Sequence, residues 1–201
     1  HFLAQIAPIL IHLISETPLP AHTLFTLSRV VNSLGAKGAL WELFLASPSS
    51  MELCVRICAY APHLSNILVA SPGLIDELLD SLQLARLPSL AAMESRLDDL
   101  CKGAELEQAI HEFKNTLHLR IGVRDILGKE QIASTHQALA QTSESILRRV
   151  VSEQVEELTL KHGPPVLKSN EGSRKCRHVV LVAGKVGGLE PNYHSEVEFA
   201  V

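Results

Sequence analysis

A helical spacing of apolar residues runs through residues 2–162 and constrains the fold more than any other feature of this sequence. Around residues 24–34, leucine and valine recur three and four positions apart, and a glycine follows as a stop signal. The two longest segments of this kind, residues 106–128 and 130–163, also end at a glycine. There is no fixed repeat of the solenoid type. The pattern predicts a mainly α fold, an irregular antiparallel bundle of helices.

Two serine–proline pairs mark expected helix starts within this region. Ser47-Pro48 and Ser71-Pro72 each precede a segment with helical apolar spacing. Serine is a common N-cap residue, and proline is favoured at the first helical position because its missing N–H would have no partner there. The sequence therefore predicts helices that begin at Pro48 and at Pro72.

The composition changes after the last long helical segment. Residues 163–176 are rich in glycine, proline, serine and charged residues, which is typical of a linker. The valine-rich run "RHVVLVAG" then predicts a buried strand, and "SEVEFAV" alternates as an amphipathic strand does. We therefore expect a helical domain over residues 1–165, a linker or loop over 166–176, and the start of an α/β domain over 177–201.

Composition and charge exclude several classes of protein. The formal net charge is -4, so no basic surface for nucleic acid or for an anionic membrane is indicated. The apolar run "FLAQIAPILIHLI" is too short to span a membrane and has no basic residue before it, which argues against a signal peptide. The chain begins with His1 and stops within an expected strand, so we expect it to be a piece of a longer protein.

The four cysteines do not suggest a metal site. Cys54 and Cys58 lie one helical turn apart in an apolar stretch, but two further ligands cannot be placed for them. Buried free thiols are the preferred interpretation, and they fit a reducing, cytoplasmic compartment.

The closing stretch carries the candidate chemistry. On a strand, Glu196 and Glu198 would point the same way with Cα atoms about 6.5–7 Å apart, so their carboxylates could share one or two Mg²⁺ ions. A glycine-rich turn just before them would let backbone N–H groups approach phosphates, and Lys185 could add a positive charge. From spacing alone, however, the wet face of an ordinary edge strand is the more common explanation of such a pair.

The order of these elements is specific to a known family. The segment "GKVGGLEPNYHSEVEFAV" closely resembles "GKLGG-x-E-L-x-Y-S-S-D-hydrophobic-D-L-I-F" of the glutamine synthetase adenylyltransferases, which are polymerase-β-like nucleotidyltransferases. In the helical part, "APHLSNILVASPGLIDELLD", "IHEFKNTLHLRIGVRDILG" and "SLGAKGALWELFLASPSSMELCVRIC" are similar to stretches of the same family. The resemblance covers nearly the whole chain.

The resemblance implies an enzyme with two related halves, of which one transfers AMP from ATP to a tyrosine of glutamine synthetase and the other removes it by phosphorolysis. The helical segments look more like those before the adenylylating half, so residues 177–201 would begin its nucleotidyltransferase domain. Implied partners are ATP with Mg²⁺, glutamine synthetase and, as a candidate regulator, a PII-type nitrogen regulatory protein. By position, the metal-binding catalytic acids fall on Glu196 and Glu198, and the nucleotide-binding residues on Lys185, Gly187, Gly188 and Ser195; Glu190 and Tyr193 also match.

The sequence departs from the family pattern in ways that leave a second interpretation open. Both family aspartates are glutamates here, Gly122 replaces a frequent alanine, and Pro191 and His194 replace leucine and serine. A third carboxylate would come from a strand beyond residue 201. The alternative is a non-catalytic helical module that binds a protein partner and carries a degenerate copy of the site.

Charged residues in the helical part carry no such motif. Arg120, Arg124 and Asp125 crowd one expected helix, and a solvated surface with internal charge pairing is the preferred interpretation for each.

Overall fold

The computed structural model describes residues 2–35, 37–76, 86–169 and 172–201. The chain forms two compact units. Unit 1 comprises His1–Leu87 and Asn115–Ile132, and unit 2 comprises Pro88–Lys114 and Ala133–Val201. The domain boundaries expected from the sequence at residues 165 and 176 stay a prediction.

Most of the described residues are helical, which confirms the mainly α prediction. The described residues of unit 1 form five α-helices, a short 3-10 helix and the second half of a long helix, α7. Their bounds are α1 Phe2–Ser15, α2 Pro20–Ser33, α3 Lys37–Ala46, α4 Pro48–Tyr60, α5 Pro62–Ala70, the 3-10 helix Pro72–Leu74 and α7 Leu106–Ile126.

The described residues of unit 2 form the first half of α7, further helices and two small antiparallel sheets of two strands each. The remaining bounds are α6 Leu90–Cys101, α8 Ile132–His162, β1 Val166–Ser169, β2 Gly172–Lys175, β3 Leu181–Ala183, α9 Gly184–Gly187 and β4 Glu198–Ala200. β1 pairs with β2, so the segment expected to be a linker forms a hairpin. β3 pairs with β4 in the stretch where the sequence predicted the first strands of a second domain.

Helix ends follow the sequence signals closely. α4 begins at Pro48 after the N-cap residue Ser47, as predicted. α8 ends before Gly163, whose φ of +81° is one that glycine adopts without a Cβ clash. The start expected at Pro72 is a 3-10 turn, and residues 77–85 of that expected helix lie outside the described residues.

The core of unit 1 is built from the apolar faces of its helices. Val30, Phe44 and Ile57 are among its most buried side chains, each at most 1% exposed. On α7, Gly122 faces Leu64 of α5 so closely that a Cβ at position 122 would overlap the Leu64 Cδ1 and lie 3.0 Å from its Cδ2. The Leu64 side chain therefore occupies the space that a side chain at position 122 would need.

The end of α7 is fixed by backbone and side-chain contacts together. Lys129 N–H donates to the Arg124 carbonyl and Gly128 N–H to the Asp125 carbonyl, each at 2.9 Å, with Gly128 at a φ of +65°. This is the Schellman pattern of helix termination. In addition, Arg56 donates to the carbonyl of Ile126 at 2.9 Å.

The prediction that Arg124 lies on a solvated helix surface is wrong. Its side chain is only 6% exposed, and its Nε donates to Glu130 Oε1 at 2.6 Å, with Glu130 itself 15% exposed. The turn at the end of α7 brings Glu130 back onto the helix. Arg124 and Glu130 are six residues apart, which is not a helical contact spacing, so the sequence does not predict that they pair. The pair is thus buried and charge-assisted rather than a surface contact.

Within the described part of the chain, no single helix is both long and apolar enough to cross a membrane. Only taken together are the helices α4 and α5 long and apolar enough to span a membrane, and the pair is bent by 112° at the break between them.

Cys54 and Cys58 are buried free thiols, as predicted, each 1% exposed. A side-chain hydrogen bond with Cys54, and burial after it, raise the pKa of the Cys58 thiol far above its usual range. Because the thiolate is the reactive form, we expect both to resist iodoacetamide at pH 8 in the folded chain, while the half-buried Cys176 is modified. Peptide mass spectrometry would check this, with urea-unfolded chain as the control; modification of Cys58 as fast as that of Cys176 would contradict it.

Candidate functional site

Strands β3 and β4 and the short helix α9 form the region where the sequence places its candidate site. The strands pair antiparallel with Leu181 opposite Ala200, Val182 opposite Phe199 and Ala183 opposite Glu198. Ala183 is the last residue before α9, which contains the glycine-rich turn. This register therefore places Glu198 directly beside the start of the turn.

Gly184 makes that proximity possible. Its φ is +62°, and a Cβ built on it would lie 2.8 Å from Glu198 Oε1. A side chain at position 184 would thus meet both backbone strain and the Glu198 carboxylate. The structure brings together one predicted acid, Glu198, and the predicted glycine turn.

The two glycines predicted to bind nucleotide differ in their surroundings. A Cβ on Gly187 would overlap the Val182 carbonyl oxygen and lie 2.8 Å from its carbonyl carbon, so the turn packs directly onto the backbone of β3. Gly188 has an ordinary helical φ of -80°, and the nearest atom to a Cβ there is 3.4 Å away. The left-handed position falls one residue later, on Leu189, with a φ of +59°.

We expect Gly187→Ala to destabilise the β3–α9 packing by about 2 kcal/mol, because backbone atoms cannot yield as a flexible side chain can. Hydrogen exchange of the β3 and β4 amides would show the effect as faster exchange. Gly188→Ala is the matched control and should leave these rates nearly unchanged. Equal exchange in both variants would contradict the assigned role of Gly187.

The remaining predicted residues lie around the turn. Lys185 is exposed on α9, and Glu196 is exposed just before β4, which begins only at Glu198. The expected strand "SEVEFAV" is thus shorter than predicted, and Glu196 is not part of its ladder. No Lys or Arg side chain of the described residues forms an ion pair with either glutamate.

Ser195 belongs to a turn organised by Asn192, a residue that the sequence analysis missed. Asn192 Oδ1 accepts from the His194 N–H at 2.9 Å and from the Ser195 hydroxyl at 3.2 Å, and Asn192 N–H donates to Ser195 Oγ at 2.9 Å. Asparagine commonly organises turns of this kind, which is the signal that could have identified it. This turn fixes the approach of the chain to Glu196.

β3 is less buried than the sequence predicted. Leu181 of β3 is 66% exposed and Val179, just before the strand, is 65% exposed, so the expectation of a buried strand is wrong. The physical reason is that a two-stranded sheet has no neighbouring strand or helix over much of its surface. Val182, on the other hand, is half-buried towards α8.

An apolar cavity of about 790 Å³ lies between α8 and the turn, within unit 2. Leu147, Val151 and Val155 of α8 line one side at helical spacing, and Val182 and Val186 line the other. The apolar spacing along α8 is the sequence signal for this packing. Val186, at 5% exposure, anchors the glycine turn on this side.

In the described part of the chain, no group of three or more His, Cys, Asp or Glu side chains could hold a metal ion. The two predicted metal ligands, Glu196 and Glu198, are both solvent-exposed.

Comparison with known proteins decides the family. The family model for Glutamate-ammonia ligase adenylyltransferase matches residues 51–201, three quarters of the chain. The chain belongs to this family. Because the match includes β3, the turn and β4, the Glutamate-ammonia ligase adenylyltransferase family covers the candidate site as well as most of the helices.

Similar curated proteins carry the name bifunctional glutamine synthetase adenylyltransferase/adenylyl-removing enzyme. The protein from Shewanella woodyi is 28% identical over 98% of this chain, and the one from Idiomarina loihiensis is 28% identical over 98%. The protein from Vibrio parahaemolyticus is 32% identical over 78% of this chain. The chain spans about a fifth of the length of these relatives, 17–21%.

Proposed function

We propose that this chain is part of a longer enzyme, the parent enzyme, that transfers AMP from ATP to a tyrosine of glutamine synthetase. Membership of the Glutamate-ammonia ligase adenylyltransferase family supports the reaction class. Removal of AMP by phosphorolysis would belong to the same parent enzyme, since the relatives are named as bifunctional. Residues 177–201 would begin the adenylylating nucleotidyltransferase domain, with a polymerase-β-like fold.

The observation that carries the proposal is the pairing of Ala183 with Glu198, which holds a carboxylate beside the glycine turn. Nucleotidyl transfer needs both features at one place, backbone N–H groups near the phosphates and carboxylates near the reacting oxygens. Lys185, exposed on the same turn, adds a positive charge for the phosphates. Ser195 and its Asn192 turn orient the chain that carries Glu196.

The two carboxylates of the candidate site are ligands of the kind that Mg²⁺ binds. Magnesium binds through one or two carboxylates together with substrate phosphates, and Glu196 and Glu198 offer two carboxylates without a competing Lys or Arg ion pair among the described residues. When bound, the metal would neutralise charge on the triphosphate. The protein's own part is to hold Glu198 over Gly184 and to keep the turn packed on β3.

The chain of 201 residues alone is expected to transfer no AMP. Among the described residues, the sheet that carries Glu198 has two strands, which is marginal for stability. Pyrophosphate release from ATP, measured with glutamine synthetase as acceptor, would check this. Release that depends on glutamine synthetase and on this chain alone would contradict it.

The test of the proposed function is transfer of radiolabelled AMP to glutamine synthetase by the parent enzyme, with Mg²⁺ and with Mn²⁺. Transfer that requires the acceptor tyrosine would support the proposal, and a glutamine synthetase with phenylalanine at that position is the control. A folded parent enzyme with no transfer under either metal would favour the non-catalytic binding module instead. The same assay with a PII-type protein added tests the proposed regulator, and fractionation of cells tests the cytoplasmic location.

A further inference from the structure

The stretch from Lys168 to Lys185 concentrates positive charge in a chain whose net charge is -4. It contains five Lys or Arg residues and a single acidic residue, Glu171. Part of this stretch is the hairpin β1–β2, which is closed at its base by a hydrogen bond from Cys176 N–H to the Pro165 carbonyl at 2.8 Å. Arg174 is thus part of a paired strand, and Arg177 follows the end of that strand closely.

Some of these side chains line a cavity of about 990 Å³ within unit 2. Arg174, Arg177 and His178 supply its basic lining. Apolar and small polar groups of α8 and the hairpin supply the rest, among them Val155, Thr159 and Leu167. The volume falls at the upper end of the range for small-molecule sites, about 300–1,000 Å³.

No described carboxylate neutralises the two arginines of this cavity. Among the residues that the structure describes, no carboxylate lies within ion-pair distance of Arg174 or Arg177, whereas Arg148 and Arg149 both pair with acids. Glu156 and Glu157, the acids of the adjacent turn of α8, are exposed and do not line the cavity. A concave surface with positive charge, and with no counter-charge among its described residues, attracts anions.

We propose that this cavity, the hairpin cavity, binds a small phosphate-bearing molecule. Guanidinium groups match phosphate oxygens with two parallel hydrogen bonds, which lysine cannot do. None of Lys185, Gly187, Gly188, Glu196 and Glu198 lines the hairpin cavity, so this site is separate from the glycine turn and goes beyond the proposed function. The apolar side of the cavity would accept the non-phosphate part of the ligand.

Titration of the 201-residue chain with inorganic tripolyphosphate, followed by calorimetry without divalent metal, tests the proposal. We expect one saturable site per chain, and at least about tenfold weaker binding for Arg177→Gln or Arg174→Gln. Arg177→Lys keeps the charge without the fork and should restore only part of the affinity. Circular dichroism should show all variants folded, because both arginines are exposed.

Lys161→Gln is the matched control, because Lys161 is an exposed basic residue at the end of α8 that does not line the hairpin cavity. It should change affinity less than about twofold. An equal loss for Lys161→Gln would show general charge attraction and overturn the proposal, as would the absence of saturable binding. Loss of binding in Lys185→Gln with no effect of the two arginine variants would place the anion at the glycine turn and also overturn it.

Comparing the affinities of ADP and inorganic pyrophosphate shows whether the hairpin cavity recognises a nucleotide or the phosphate group alone. ADP binding more tightly than inorganic pyrophosphate, with the same dependence on Arg177, would support a nucleotide as occupant. Equal affinity would support recognition of the phosphate group alone. If neither ADP nor pyrophosphate binds while the parent enzyme still transfers AMP, the proposal of phosphate binding in the hairpin cavity is overturned. The proposed function would not be affected by that result.

Discussion

In the parent enzyme, Glu196→Ala is expected to reduce the rate of AMP transfer to glutamine synthetase by at least about 100-fold. The change removes one of the two carboxylates proposed to hold the metal, and loss of a single preorganised electrostatic group of a transition state has effects of about this size. The fold should survive, because Glu196 is exposed and lies before β4 rather than within it. Single-turnover transfer of labelled AMP measures the effect on chemistry separately from product release.

Two further variants make this result specific. Glu196→Asp keeps the carboxylate and restores the residue type that the family pattern shows, so it should retain activity. Glu157→Ala removes an exposed acid from α8 and should leave the rate unchanged. A folded Glu196→Ala parent enzyme that transfers AMP at the normal rate would refute the assignment of Glu196 as a metal ligand.

The largest expected effect on stability belongs to Arg124. Arg124→Met keeps most of the side-chain length but leaves Glu130 without its partner at a position only 15% exposed. Removing one member of a buried ion pair costs about 3–5 kcal/mol, and we expect a loss of about 3 kcal/mol because Glu130 retains some contact with solvent. With a urea dependence of about 1–3 kcal/mol per molar, the unfolding midpoint of unit 1 should fall by about 1–3 M.

An exposed arginine of the same chain is the matched control for this prediction. Arg148 contacts Glu144 Oε1 at 2.6 Å, the same distance as in the Arg124–Glu130 pair, but the two side chains are 63% and 40% exposed. Arg148→Met should therefore cost less than about 1 kcal/mol. A double variant, Arg124→Met with Glu130→Leu, should recover part of the loss. Equal midpoints for Arg124→Met and Arg148→Met would show that burial does not determine the strength of these pairs.

Local signals in the sequence were sufficient for much of the helical part. Pro48 defines the start of α4 because its missing N–H and fixed φ act within one turn, whereas Ser47 takes the N-cap position without a side-chain capping hydrogen bond. Gly163 ends α8 for an equally local reason, a backbone angle of +81° that other residues rarely adopt. The burial of Cys54 and Cys58 followed from an apolar helical stretch with no further metal ligands.

Contacts between distant residues or across turns were not predictable in this way. The Arg124–Glu130 pair depends on the path of the chain after Gly128, and the exposure of Leu181 depends on how many strands surround β3. At the candidate site, alternation predicted Glu196 and Glu198 on one strand face. The structure places only Glu198 in the strand, because the partner strand β3 ends at Ala183, where α9 follows.

Gly122 and Leu64 share one volume of the core, and this has a consequence for how the chain can change during evolution. Alanine at position 122 requires the Leu64 side chain to leave its place, whereas a smaller residue at position 64 would leave a void beside glycine. The effect of a substitution at either position therefore depends on the residue at the other. Within this chain we expect sign epistasis between them: Gly122→Ala is destabilising beside leucine at position 64 and stabilising beside valine.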